Sequence, residues 1–196
     1  MKLHCKKNAT SPFDQLISEG KYCMNSLDIS FSYVYAAELV KLNWNDIHLA
    51  INHKYLSHQA AIEHARAELE NDIFPQAVLD LACLSAEEAI FPHSIHPYID
   101  ELVNAEGECE KCNAKDKILY IVLNWVYEHR KDYDDIFEVL TVICDDFGFP
   151  ETIVNFAWKY TPRKEYRLST MEENRVKVFE SWNQFLNEQQ NKWKTL

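Results

Sequence analysis

The stretch Ala114-Lys115-Asp116-Lys117-Ile118-Leu119-Tyr120-Ile121-Val122-Leu123-Asn124-Trp125-Val126-Tyr127 decides the fold class. From Ile118 onward it is apolar at almost every position. A helix that is apolar nearly all round is enclosed by other elements. This one is therefore expected at the centre of the molecule, with shorter amphipathic helices around it.

Working outward, both flanks carry helix starts and stops. Asn43 can cap a helix that places Trp44, Ile47 and Ile51 on one face, and Ser57 can cap another with Ile62, Ala65 and Leu69 spaced three and four apart. Pro75 suits a first helical position before Ala77–Leu84, and Ser85-Ala86-Glu87-Glu88 has capping-box spacing. Pro97 is expected to open Tyr98–Asn104, which Gly107 would end. Downstream, Asp132, Asp134 and Asp135 precede Ile136–Phe147, which should stop at Gly148, and Pro150 opens Glu151–Trp158. Thr170-Met171-Glu172-Glu173 is a second capping box. It starts a last helix with Val178, Trp182, Phe185, Leu186 and Trp193 on one side.

Two segments compete as strands. Ile29–Tyr33 alternates but has no clear partner, and Thr141–Ile143 is β-branched but short. Three glycines and six prolines are too little punctuation for a many-stranded sandwich or barrel. The prediction is an all-α fold, a single globular domain of about eight to ten short helices, within the usual length range. Antiparallel helix pairs are expected, and such pairs could stack into a superhelix. Residues 1–29 read as an N-terminal extension with one short helix, Phe13–Tyr22, and residues 30–196 as the helical domain.

The charge is concentrated. From Glu63 to Asp146 there are 20 acidic residues against six basic ones, a local balance of −14 in a chain of net charge −11. Such a field repels nucleic acid and anionic membrane and attracts a basic protein surface. The basic run Arg163-Lys164-Glu165-Tyr166-Arg167 is too small to outweigh it. No apolar run follows the basic start, and no span of about 20 apolar residues occurs. A cytoplasmic protein with its six cysteines reduced is expected. Cys83 and Cys144 read as small core residues.

Some of the acids have a local explanation. Asp134 and Asp135, like Asp100 and Glu101, fall at a helix start, where negative charge is favourable, though a capping acid can also face a partner. Asp145 and Asp146 close a helix, where the dipole disfavours them by roughly 0.3–1 kcal/mol, so a basic neighbour, a backbone N–H or a partner should offset the cost. Glu106, Glu108 and Glu110 read as a solvated acidic loop. Glu106, Glu108, Glu110, Asp134, Asp135, Asp145 and Asp146 form the candidate partner-binding set. Cys109-x-x-Cys112 with His93-x-x-His96 has the ligand types of a zinc site but lacks a second CxxC, and the bland reading is a loop that tolerates two thiols. His48, His53, His58 and His64 do not share one helix face well. No phosphate loop, dinucleotide fingerprint or nucleophile elbow occurs, and neither catalytic residues, a bound metal nor a cofactor is expected.

Several pieces, in order, carry a family resemblance. They are Leu42-Asn43-Trp44, the helix Ile121-Val122-Leu123-Asn124-Trp125-Val126-Tyr127, the turn Asp145-Asp146-Phe147-Gly148-Phe149-Pro150, Tyr160-Thr161-Pro162, and the Trp182 region. Over roughly Ser30 to Leu186 the chain resembles the bacterial family called domain of unknown function 2247. The resemblance implies a small helical cytosolic protein encoded near secreted polymorphic toxins. The role it implies is immunity, with no established catalytic residues to carry over.

The expected function is therefore that of an immunity protein. It would bind and block the toxic C-terminal domain of a cognate toxin, such as the nuclease of a contact-dependent growth inhibition system, by stoichiometric occlusion. A helical scaffold or adaptor that binds a basic cellular partner is the alternative from another class. A metal-dependent hydrolase using Asp145, Asp146 and nearby histidines is a further one.

Overall fold

The computed structural model describes residues 25–70, 74–106, 108–154 and 171–194, the side chains of 108–112, 171 and 194 excepted. Among the described residues there are nine α-helices and no strand. In chain order they are α1 (Tyr33–Leu39), α2 (Trp44–Asn52), α3 (Gln59–Glu68), α4 (Gln76–Ala82), α5 (Pro92–Ala105), α6 (Glu108–Glu128), α7 (Ile136–Asp146), the single turn α8 (Glu151–Ile153) and α9 (Met171–Lys194). A short 3-10 turn, Glu88–Ile90, precedes α5.

The stretch that decided the fold class forms most of α6. Ile118, Leu119, Tyr120, Ile121, Val122 and Leu123 are all buried. Six consecutive buried residues exceed one helical turn of 3.6, so α6 is covered around its whole circumference there. It packs against α2 and α9. The remaining helices close in pairs: α3 on α4, α4 on α5, α5 on α2, and α1 on α3 and α9. On α9, Val178, Trp182, Leu186 and Trp193 are buried as expected, with Phe185 packed partly buried beside them.

Capping accounts for several of the boundaries. Asn43 and Asp46 form a reciprocal capping box at the start of α2. The Ser32 hydroxyl caps α1, and the Asp135 carboxylate caps α7 by accepting the N–H groups of Phe137 and Glu138. The Ser85–Glu88 box forms too, opening the 3-10 turn rather than an α-helix. After α7 the chain turns through Gly148 and Phe149, at φ 71° and 57°, and the Phe149 N–H closes on the Cys144 carbonyl at 2.7 Å. Pro150 then opens α8.

Four local expectations are corrected. Pro97 does not open a helix but lies inside α5, which starts at Pro92. It forfeits one bond, to the carbonyl of His93, near the helix start, and both residues are exposed. Ser57 supplies no side-chain cap; α3 starts after His58 without one. Cys83 is exposed, because α4 ends at Ala82, while Cys144 is buried as expected. The packed chain also begins before residue 30. The Asn25 side chain bonds both the N–H and the carbonyl of Ile29, whose own side chain is buried in the core. The Ile29–Tyr33 segment makes one backbone bond, Phe31 N–H to the Tyr55 carbonyl, before Ser32 caps α1, and Thr141–Ile143 is helical. The Phe13–Tyr22 helix, Tyr160-Thr161-Pro162 and the basic run at 163–167 lie outside the described residues.

Truncating the centre of α6 should be costly. Ile121→Ala is expected to lower stability by about 2–5 kcal/mol through lost burial and an unfilled cavity. The check is the denaturation midpoint at unchanged transition slope.

Candidate functional site

The densest polar chemistry lies where α2 begins. A helix start leaves four backbone N–H groups without an intrahelical acceptor. The Asn43 side chain accepts the Asp46 N–H at 2.9 Å, and Asp46 Oδ2 accepts the Asn43 N–H at 2.9 Å. The N–H groups of Trp44 and Asn45 donate to the two oxygens of Glu106, at 2.8 and 2.9 Å, and the Asn45 amide donates to the same carboxylate. Two carboxylates thus sit at the positive end of the α2 dipole. From α6, the Lys117 ammonium donates to Asp46 Oδ2 at 2.6 Å and to the Lys41 carbonyl at 3.1 Å, and it lies 5.8 Å from the centre of the Trp193 ring. One cation therefore ties α2 to α6 and touches α9.

Beside this cluster the Trp44 indole N–H donates to Glu68 Oε2 at 2.9 Å. Trp44 also meets the buried His64 ring edge-on, with centroids 4.6 Å apart. His64 Nδ1 is 3.1 Å from the Tyr33 hydroxyl. Burial pushes His64 down to about 4, with Lys117 acting in the same direction. Burial also raises Asp46 against the pull of Lys117 and Asn43, and it raises Glu68 against the pull of Trp44, with Glu106 nearby adding to the rise. Perturbed titratable groups mark functional sites with some regularity, but ion-pair networks perturb them too. Here Asp46 and His64 are enclosed; Asp46 is held by its own capping box and by Lys117 of α6, and His64 meets Tyr33 of α1, Trp44 of α2 and Glu68 on its own helix. The network orients α2, α3, α5 and α6 relative to one another.

The seven predicted contact acids divide. Glu106 is withdrawn from the set, because both of its oxygens accept bonds from α2. Asp146 is withdrawn as well: it is buried, and it accepts the Ser26 N–H at 2.8 Å and the Ser26 hydroxyl at 2.6 Å. The cost of placing it at a helix end is offset from within the chain. The acidic loop is not a loop: Glu108 and Glu110 lie in the first turn of α6, where negative charge suits the helix dipole. Asp134, Asp135 and Asp145 are exposed, Asp135 also serving as the α7 cap. The side chains of Cys109 and Cys112 lie outside the described residues, and His93 is exposed with its ring 5.5 Å from that of Phe91. Among the described residues no three His, Cys, Asp or Glu side chains are grouped to hold a metal ion.

The fold sorts the histidines in a way their spacing did not reveal. His64 turns inward. His58 and His96 meet across α3 and α5 with Nε2 atoms 3.2 Å apart, and His48 on α2 approaches Asp100 at 3.7 Å. His48 and His58 are both held below the ordinary imidazole range, mainly by burial. No signal within a single helix could have brought together His48 of α2, His58 just before α3 and His96 of α5.

With the geometry described, comparison with known proteins adds one finding. The family model DUF2247, described as an uncharacterized protein conserved in bacteria, matches residues 33–190. The chain belongs to this family. No curated protein and no solved structure matches the chain. The DUF2247 match contains the Asn43–Asp46 capping box, Glu106 and Lys117, so these members of the α2 network lie inside the family region, while Trp193 lies just beyond it.

Two outcomes follow from the network. Lys117→Met leaves Asp46 buried without its cation, which should cost about 3–5 kcal/mol. In the double variant with Asp46→Asn the losses should not add, and a double-mutant cycle in denaturant measures the difference. Separately, His64 is buried neutral, so the unfolded chain takes up its proton first. Stability should fall as pH drops from about 6.5 towards about 4, by up to about 3 kcal/mol from this residue. The raised carboxylates of Asp46 and Glu68 work in the opposite sense as they take up protons. Melting temperatures across this pH range should therefore show a shallower decline for His64→Gln than for wild type.

Proposed function

We propose that this DUF2247 chain is an immunity protein, which binds the toxic C-terminal domain of a cognate secreted toxin in the cytoplasm and blocks it by occupying its surface. One observation carries the reading. The 44 residues between Arg66 and Lys111 contain eleven acidic side chains and neither a lysine nor an arginine. Of these acids, Glu70, Asp80, Glu87, Glu88, Asp100 and Glu101 are exposed, from just past the end of α3 through α4 and the 3-10 turn to α5. Arg66, next to this run, donates its guanidinium to the carbonyls of Ala82 and Leu84 and so faces the end of α4.

A surface of one sign matches a partner of the other. A domain that grips phosphates with Lys and Arg, as a nuclease does, offers that match. Charge complementarity speeds encounter and rejects wrong partners, while residence time is set by a few buried contacts. Asp134, Asp135 and Asp145 add exposed acids beyond this run. No helix among the described residues is long and apolar enough to cross a membrane, which accords with a partner met in solution.

The test is co-expression with the C-terminal domain of the toxin encoded beside the gene. Restored growth and a 1:1 co-purifying complex are expected. Glu87→Lys with Glu101→Lys should slow association about tenfold at low salt and flatten its salt dependence. Cell death despite expression of the wild-type chain would end the immunity reading.

A further inference from the structure

Charge alone makes contacts fast rather than durable, so the acidic run should contain an apolar anchor. Ile90 and Phe91 meet that requirement. They are adjacent, and they are 71% and 53% exposed, although both are large hydrophobes. Side chains of this size left at the surface of a soluble domain mark contact sites when they lie together inside a polar rim.

Here the local structure forces the exposure. The Ser85 N–H and hydroxyl both donate to Glu88 Oε2 at 2.8 Å, which pins the start of the 3-10 turn. Ala89 takes the inward position at 4% exposure. The Phe91 N–H closes on the Glu88 carbonyl at 3.1 Å, and the Phe91 carbonyl accepts the Ser94 N–H at 3.0 Å as α5 begins. The His93 ring lies tilted against Phe91, centroids 5.5 Å apart. The step is thus held in place before any partner arrives, which lowers the entropy lost on binding.

The rim is acidic. Glu87 and Glu88 adjoin the step in sequence and are exposed. The bonds from the Ser85 backbone and hydroxyl hold Glu88 below the ordinary carboxylate range, so it stays ionised. An apolar centre inside a charged rim is the anatomy of a specific interface, and aromatic residues at such centres carry much of the binding energy.

We propose that the Ile90–Phe91 step is the anchor by which the chain docks onto the toxic domain, filling an apolar pocket bordered by Lys and Arg side chains. The proposal rests on the immunity reading and names the surface it uses.

The experiment measures association and dissociation rates of the purified full chain against a catalytically disarmed C-terminal domain of the adjacent toxin. Phe91→Ala should speed dissociation about 30-fold or more while association stays within about threefold. Ile90→Ala, at the more exposed position, should act in the same direction and guards against a folding effect at the start of α5. Val176→Ala, which truncates an exposed hydrophobe on α9, should leave both rates unchanged. If wild type binds and both Phe91→Ala and Ile90→Ala bind as wild type does, the anchor is wrong and the immunity reading stands. If Val176→Ala weakens binding as much as Phe91→Ala, the anchor is equally wrong. If wild type itself does not bind, the immunity reading fails and the anchor with it.

Discussion

The buried ion pair between Lys117 and Asp46 is the constraint on which the rest of the arrangement depends. Lys117 immediately precedes Ile118, where α6 becomes enclosed on all sides. Its ammonium cannot reach bulk water freely, and Asp46 is 0% exposed. Neither charge tolerates separation in that setting. Pairing them fixes the rotation of α6 about its axis and the depth at which the start of α2 meets it. The Trp193 ring beside Lys117 brings α9 to the same point. A pair of this kind need not add net stability relative to well-packed apolar residues. Its contribution is register: other packings of the same amphipathic helices would leave a buried charge without a partner.

The negative charge of the chain then serves two separate purposes. One group of carboxylates works inside the molecule. Asp46 and Glu106 satisfy the N–H groups at the start of α2, Glu68 receives the Trp44 indole, and Asp146 holds Ser26 and so docks the segment that leads into α1. The second group is exposed on consecutive elements from the end of α3 to α5, in a run without lysine or arginine, with Ile90 and Phe91 in its midst. The first group holds the helices together, and the second gives the surface a field of one sign.

Much of the fold was legible in the chain. The apolar run of α6, the caps Asn43 and Asp135, the turn at Gly148-Phe149-Pro150 and the buried face of α9 all rest on relations within a few residues. The misreadings have physical causes. Proline favours a first helical position, which points to Pro97 as a start, yet a helix that begins at Pro92 absorbs a missing N–H near its exposed first turns. Glu108 and Glu110 were read as loop because nothing apolar surrounds them, although a first helical turn also favours acids. The surroundings of the candidate contact residues were less legible than the fold. Whether an acid is free depends on what lies opposite it, and for Glu106 and Asp146 that was an element far away in sequence.

The sequence by itself determined that the chain is helical, where most helices start and stop, and which helix is central. Side-chain periodicity and capping act over one turn, so adjacent residues suffice to specify them. Only the tertiary structure decided which charges pair. Lys117 finds Asp46 across 71 positions, Glu106 finds Asn45 across 61, and Asp146 finds Ser26 across 120. A carboxylate satisfies any donor that packing brings within about 3 Å, so its sequence position alone does not specify which one. The same packing separated the acids held inside from those left exposed at the surface.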